Sequence, residues 1–124
     1  MKRQVKIKAM CRLTFGLARK RENLSMSDVI DFTKRGAIGV ITVNNPPVNA
    51  LSAAVRDGLG EAFDKGQADP DIKAMVLVGG GRTFIAGADI REFGKPPQGK
   101  PFAEVLGGME NSSKIIVAAI HGTA

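Results

Sequence analysis

The sequence predicts an α/β fold, and three observations carry that expectation. Short apolar runs rich in β-branched residues alternate with amphipathic stretches at helical spacing, and glycine or proline stands at the junctions. The predicted order is β-β-α-β-α-β. With 124 residues there is chain enough for one modest domain and too little for two.

Val29, Ile30 and Phe32, then Lys34-Arg35-Gly36, then Ile38, Val40, Ile41 and Val43 read as two strands joined by a tight turn. Gly36 or Gly39 would supply its special backbone angles. Asn44-Asn45-Pro46-Pro47 must end the second strand, because two prolines remove two donors. Ser52 is a candidate N-cap, and Val55, Leu59, Ala62, Phe63 and Gly66 after it form one helical face. Arg56, Asp57, Glu61, Asp64 and Lys65 fall mostly elsewhere, and Gly58 and Gly60 weaken this helix. Asp69-Pro70 breaks the pattern. Ile72 to Val78 is short and apolar enough for a strand buried on both faces, ended by Gly79-Gly80-Gly81. Residues 94 to 101 are a Gly/Pro-rich loop. Phe102, Val105, Leu106 and Met109 then give a short helical face, and Ile115 to Ile120 a last strand.

The net charge of +6 invites a nucleic-acid reading, but its location argues otherwise. Residues 1–25 hold eight basic residues against Glu22 alone, whereas the rest holds ten basic and eleven acidic ones. Phe15 is the only aromatic there for base stacking, so a solvated tail is favoured over a nucleic-acid arm. We read residues 1–25 as a basic, disordered extension and 26–124 as the folded part, with Met26 a second candidate start. A cleaved presequence is the alternative. Cys11 is the only cysteine, which rules out an intrachain disulfide and a cysteine-rich metal site, and no metal site is expected. The longest apolar run is far short of the roughly 20 residues that span a bilayer. A cytoplasmic setting is expected, or a mitochondrion or other organelle if the basic N terminus is a presequence.

The stretch from Arg82 to Phe93 draws most attention chemically. Ala86-Gly87-Ala88-Asp89 is a small-residue turn feeding a short helix, so a ligand can approach its backbone and its N–H groups can meet a developing anion. Asp89 could equally be a plain helix cap. Gly79-Gly80-Gly81-Arg82-Thr83 lacks the Lys-Ser/Thr ending of a phosphate loop and reads as a turn. His121, the only histidine, has few carboxylates near it in sequence and reads as structural.

Pro47-Val48-Asn49-Ala50-Leu51-Ser52, Ala74 to Gly79, Phe84 to Ile90 and Ile116 to Ala124 together resemble the crotonase (enoyl-CoA hydratase/isomerase) superfamily. They are most similar to the hydratase/isomerase part of multifunctional fatty-acid oxidation enzymes that also carry a 3-hydroxyacyl-CoA dehydrogenase. The resemblance implies an N-terminal piece of such a domain, a partial crotonase-type spiral of ββα units ending before its second half. It implies an acyl-CoA thioester as substrate, with coenzyme A as part of the substrate and no separate cofactor. The parent reaction would be hydration of a 2-enoyl-CoA to a 3-hydroxyacyl-CoA in β-oxidation, by an enzyme that is oligomeric at full length. Ala88 matches the first of two backbone donors of the oxyanion hole. Ala86, Gly87, Ala88, Asp89, Ile90 and Arg91 would line the CoA path, Arg91 being either a phosphate partner or a plain solvent-exposed arginine. Asn49, Ala50 and Leu51 would lie near the nucleotide end. The second donor and the two catalytic glutamates match no residue here, and Glu92, Glu104 and Glu110 do not correspond to them. The chain alone is therefore expected to be inactive; a non-catalytic CoA- or partner-binding remnant is the alternative.

Overall fold

The computed structural model describes residues 23–124. Five strands form one sheet in the order β1-β2-β3-β4-β5. They are β1 (Asn23–Ser27), β2 (Ile30–Arg35), β3 (Ile38–Val43), β4 (Ala74–Gly79) and β5 (Ile115–Ala119). Helix α1 (Ala53–Ala68) joins β3 to β4; a single 3₁₀ turn (Ile90–Glu92) and helix α2 (Phe102–Glu110) lie between β4 and β5. Pairing is antiparallel through β1, β2 and β3 and parallel from β3 to β4 to β5. The parallel pairs are the ones joined through helices, as crossover connections require.

The hairpin forms as expected, and Gly36 rather than Gly39 makes its turn, with φ of 58°. Gly39 lies within β3, where a Cβ would sit 3.0 Å from the Phe32 ring. The strand before the hairpin is a correction. Asn23 pairs with Thr33, Leu24 with Phe32 and Ser25 with Asp31, so the fold begins at least three residues inside the stretch assigned to the basic extension. The remainder of that extension lies outside the described residues.

Ser52 caps α1 by accepting the Val55 amide at 3.4 Å. Lys114 closes the other end by donating to the carbonyls of Gly66 (2.7 Å) and Asp69 (2.5 Å). The predicted face is the buried one: Val55, Leu59, Ala62, Phe63 and Gly66 all lie inside. They meet Ile30, Phe32, Ile41, Val43, Ile72, Met75 and Leu77 of the sheet side. Each Val, Leu, Ile, Phe or Met side chain removed from water here contributes roughly 1.5–3 kcal/mol, so this interface outweighs any propensity lost to Gly58 and Gly60.

One expectation of burial is revised. In β4, Met75 and Leu77 are buried while Ala74, Val76 and Val78 are half-buried, because α1 covers one side of the strand and nothing covers the other to the same depth. In α2 only Val105 is buried, and Phe102 and Leu106 remain over 40% exposed, at 43% and 42%. The apolar spacing made α2 a helix without finding it a full partner.

Candidate active site

Two loops at the same end of the sheet build the site. One follows β3 and contains residues 44–52; the other follows β4 and contains residues 80–89. Both strands are parallel neighbours, so both chains leave in the same direction and their loops meet. This is the end of a parallel sheet at which ligands of α/β proteins bind.

Asn49 makes the junction. Its side-chain Nδ2 donates to the carbonyls of Gly80 (2.9 Å), Thr83 (2.8 Å) and Phe84 (3.1 Å), while its Oδ1 accepts the Asn45 amide at 2.8 Å. The residue has φ of 53°, a left-handed conformation that asparagine tolerates better than most side chains. Asn45 adds a second tie, its Nδ2 donating to Ala50 O at 2.9 Å. The main chains also join directly: Ala86 N donates to Val48 O (3.1 Å), and Leu51 N donates to Gly87 O (2.8 Å). Leu51 and Ala88 thereby form an isolated parallel bridge.

Gly87 has φ of 120°, and a Cβ there would meet nothing within 4 Å. Its requirement for glycine is therefore conformational rather than steric. The next residue, Ala88, is exposed, and among the described residues no backbone carbonyl or side chain accepts its amide hydrogen. On the far side, Phe84 N donates to Thr123 O at 2.9 Å, Thr83 bridges Gly122 and Thr123, and His121 Nε2 lies 3.0 Å from Gly81 O. The histidine thus holds a turn, as the sequence indicated. A Cβ on Gly122 would collide with the Arg82 carbonyl, so the small residues after β5 allow this close approach.

The helix expected after Ala88 is only three residues long. One 3₁₀ turn has little aligned dipole, so any affinity for an anion rests on individual N–H groups. Asp89 caps this turn by accepting the Arg91 amide at 3.0 Å, and Arg91 returns a bidentate pair, Nε to Oδ1 at 2.9 Å and Nη2 to Oδ2 at 2.7 Å. Those bonds, the side-chain ones first, lower the Asp89 pKa from 3.8 to about 2. The carboxylate is 6% exposed and its arginine 75%. A negative charge one residue from Ala88 is thus neutralised in place, which removes a local penalty against an oxyanion.

Glu92 and Arg56 form the second charged element. Glu92 Oε1 accepts the Ala53 amide at 2.6 Å, satisfying a free donor at the start of α1, and Oε2 accepts from Arg56 Nη1 at 2.9 Å. These two bonds hold the Glu92 pKa below its ordinary value, the Ala53 bond contributing most. Arg56 also donates to the carbonyls of Leu51 (2.7 Å), Gln98 (2.7 Å) and Lys100 (2.9 Å). It pins the loop after the 3₁₀ turn onto α1.

The structure therefore brings the sequence-predicted residues 49–51 and 86–91 into one assembly. The side chains of Asn49 and Asp89 are buried, at 2% and 5% exposure, and are consumed by protein partners. Leu51 is buried at 9% and Ile90 exposed at 76%, while Ala50 receives the Asn45 bond. Arg56, placed by its periodicity on the outer side of α1, was missed; its side chain is only 14% exposed. A groove of about 270 Å³ beside the turn is lined by Arg56, Arg91, Glu92, Lys95 and residues 96–98. A larger one, about 390 Å³ between α1 and α2, shares none of the predicted site residues.

Residues 33–124 match the family described as Enoyl-CoA hydratase/isomerase. A peroxisomal bifunctional enzyme of Danio rerio is 43% identical over 88 residues, covering 71% of this chain and 12% of that protein. A probable enoyl-CoA hydratase of Bacillus subtilis is 34% identical over 94 residues, covering 70% of this chain and 36% of that protein. A solved enoyl-CoA hydratase/carnithine racemase from Magnetospirillum magneticum superposes with a TM-score of 0.69 at 34% identity, over 82% of this chain and 42% of that one. The chain thus spans between about an eighth and two fifths of the length of these relatives. The partial crotonase-type α/β spiral implied by the resemblance is the fold found. No helix among the described residues is long and apolar enough to cross a membrane. On the family match, the identities and the superposition together, the chain belongs to the enoyl-CoA hydratase/isomerase family.

Proposed function

We propose that these residues supply the thioester-binding half of an enoyl-CoA hydratase site, with the Ala88 amide as one donor to the thioester oxygen. The parent reaction is hydration of a 2-enoyl-CoA to a 3-hydroxyacyl-CoA in fatty-acid β-oxidation. Water adds at the β-carbon, the thioester oxygen gains enolate charge, and a proton then reaches the α-carbon. A backbone N–H aimed at that oxygen lowers the barrier because it costs no reorganisation as the charge appears. The single observation supporting this reading is the exposed, unaccepted amide of Ala88 on a turn tied down on both sides.

Ala86, Gly87 and Ile90 would meet the CoA arm through backbone and small apolar contacts, and the 49–51 segment through its main chain. Arg91 keeps an exposed guanidinium edge for a phosphate even while paired with Asp89. The reading requires no metal and no cofactor beyond the CoA carried by the substrate. The setting is the cytoplasm, or an organelle if the basic N terminus is a presequence, and the full-length protein is an oligomer. Of the carboxylates near the turn, Asp89 is held by Arg91 and Glu92 by Arg56 and Ala53. Neither is placed to serve as a general base, and on this reading, with the second donor and both glutamates of the family unmatched, the 124 residues alone bind without turnover.

Semisynthesis that replaces the Ala88 amide by an ester deletes one N–H and no side-chain atom. The native chain is expected to bind acetoacetyl-CoA and to shift it towards the enolate, read by ultraviolet absorbance, with the ester form losing that shift. Equal binding and equal enolate signal in both would refute the donor role. Hydration of crotonyl-CoA by the purified chain, lost on mutation within it, would refute the inactivity.

A further inference from the structure

We infer that Asn49 is a positioning residue for the Ala88 amide, acting through its buried carboxamide, whose atoms bond only to the protein. The inference rests on the donor role proposed for Ala88, but its own observations are independent of that role. Asn49 is 2% exposed, and both ends of its side chain are engaged, Oδ1 by Asn45 and Nδ2 by the carbonyls of Gly80, Thr83 and Phe84. Those three carbonyls belong to the segment that leads from β4 into the 86–88 turn. Without the carboxamide they would be part-buried acceptors lacking a donor, and the segment would relax towards water.

The residue type is narrowly set. Aspartate keeps the shape but turns a double donor into an acceptor facing three oxygens. Glycine keeps the φ of 53° but removes every side-chain bond. Leucine or valine would meet neither the polar demand nor the backbone angle. Asparagine alone among these satisfies both, which places the selectivity in the carboxamide and the backbone together.

Amide hydrogen exchange on the 15N-labelled chain, with acetoacetyl-CoA as the thioester probe, separates the outcomes. In Asn49→Asp and Asn49→Gly the amides of Leu51 and Ala86 should exchange roughly tenfold faster or more, because the ties of this turn are loosened. The Ala88 amide resonance should shift, the β3–β4 ladder should keep its protection, and probe affinity should fall. Unchanged Leu51, Ala86 and Ala88 signals in both variants would overturn the inference, as would an equal loss of protection throughout the sheet. A native chain that ignores the probe while its variants show the local loosening would support the positioning and overturn the thioester reading instead.

Discussion

Asp89 lies one residue from the candidate donor, yet its charge is spent locally on Arg91. Its folded pKa is depressed, so its contribution to stability is complete above the ordinary value of 3.8 and is lost as pH falls from there towards about 2. Glu92 shifts in the same direction, with the Ala53 amide as the first cause. Chemical denaturation as a function of pH should therefore show Asp89→Asn less stable than the native chain near neutrality. The two should converge as the carboxyl protonates below 3.8. Arg91 is well exposed, so added salt should narrow the gap wherever the carboxylate is ionised. A gap that grows on acidification would contradict the assigned pair. The sequence admits Asp89 as a helix cap, and its bond to the Arg91 amide shows that it caps the 3₁₀ turn.

Within α1, a glycine does what the helical pattern alone could not reveal. A Cβ at Gly58 would stand 2.6 Å from Ile30 Cγ1, so the helix lies close on β2 only because that atom is missing. Gly58→Ala gains about 1 kcal/mol of helix propensity but loses about 1–3 kcal/mol to overpacking against a stiff β-branched side chain. The net expectation is destabilisation. Gly108 in α2 is exposed with nothing within 4 Å of an added Cβ, so Gly108→Ala should stabilise by about 0.5–1 kcal/mol. Urea unfolding with an unchanged slope checks both signs. The loop carrying the site depends on Arg56 in a similar way. Arg56→Ala leaves Glu92 Oε2 and three carbonyls without their donor and should cost about 2–3 kcal/mol. Periodicity revealed the buried face of α1 because its partners recur every turn. It could not reveal Arg56, whose partners Glu92, Gln98 and Lys100 lie 36 to 44 residues further on. Strand β1 was hidden for a different reason: the basic run before it dominated the composition, and Asn23–Ser27 is only five residues long.

The sheet as a whole was readable because each strand is an apolar run bounded by turn residues, and the order of helices between them dictates which pairs are parallel. Motifs at four places along the chain identified the family, and the sheet brings three of those places to one end. The depth of burial was not readable, because it depends on what covers each face. Among the described residues β5 is the last strand of the sheet, and Ile115 at its start is 64% exposed. An edge of this kind offers unpaired backbone groups and an apolar side chain to a second copy, a recognised route to association. Sedimentation velocity should accordingly show the mass of the native chain rising with concentration. Lysine on an edge strand opposes such pairing by charge and by its need for water, so Ile115→Lys should hold the chain monomeric. An exposed site contributes little to folding, within about 0.5 kcal/mol, so the same variant should keep the native unfolding midpoint. If instead Ile115→Lys still associates and Leu106→Glu does not, the half-exposed face of α2 is the surface that draws copies together and the strand edge is not.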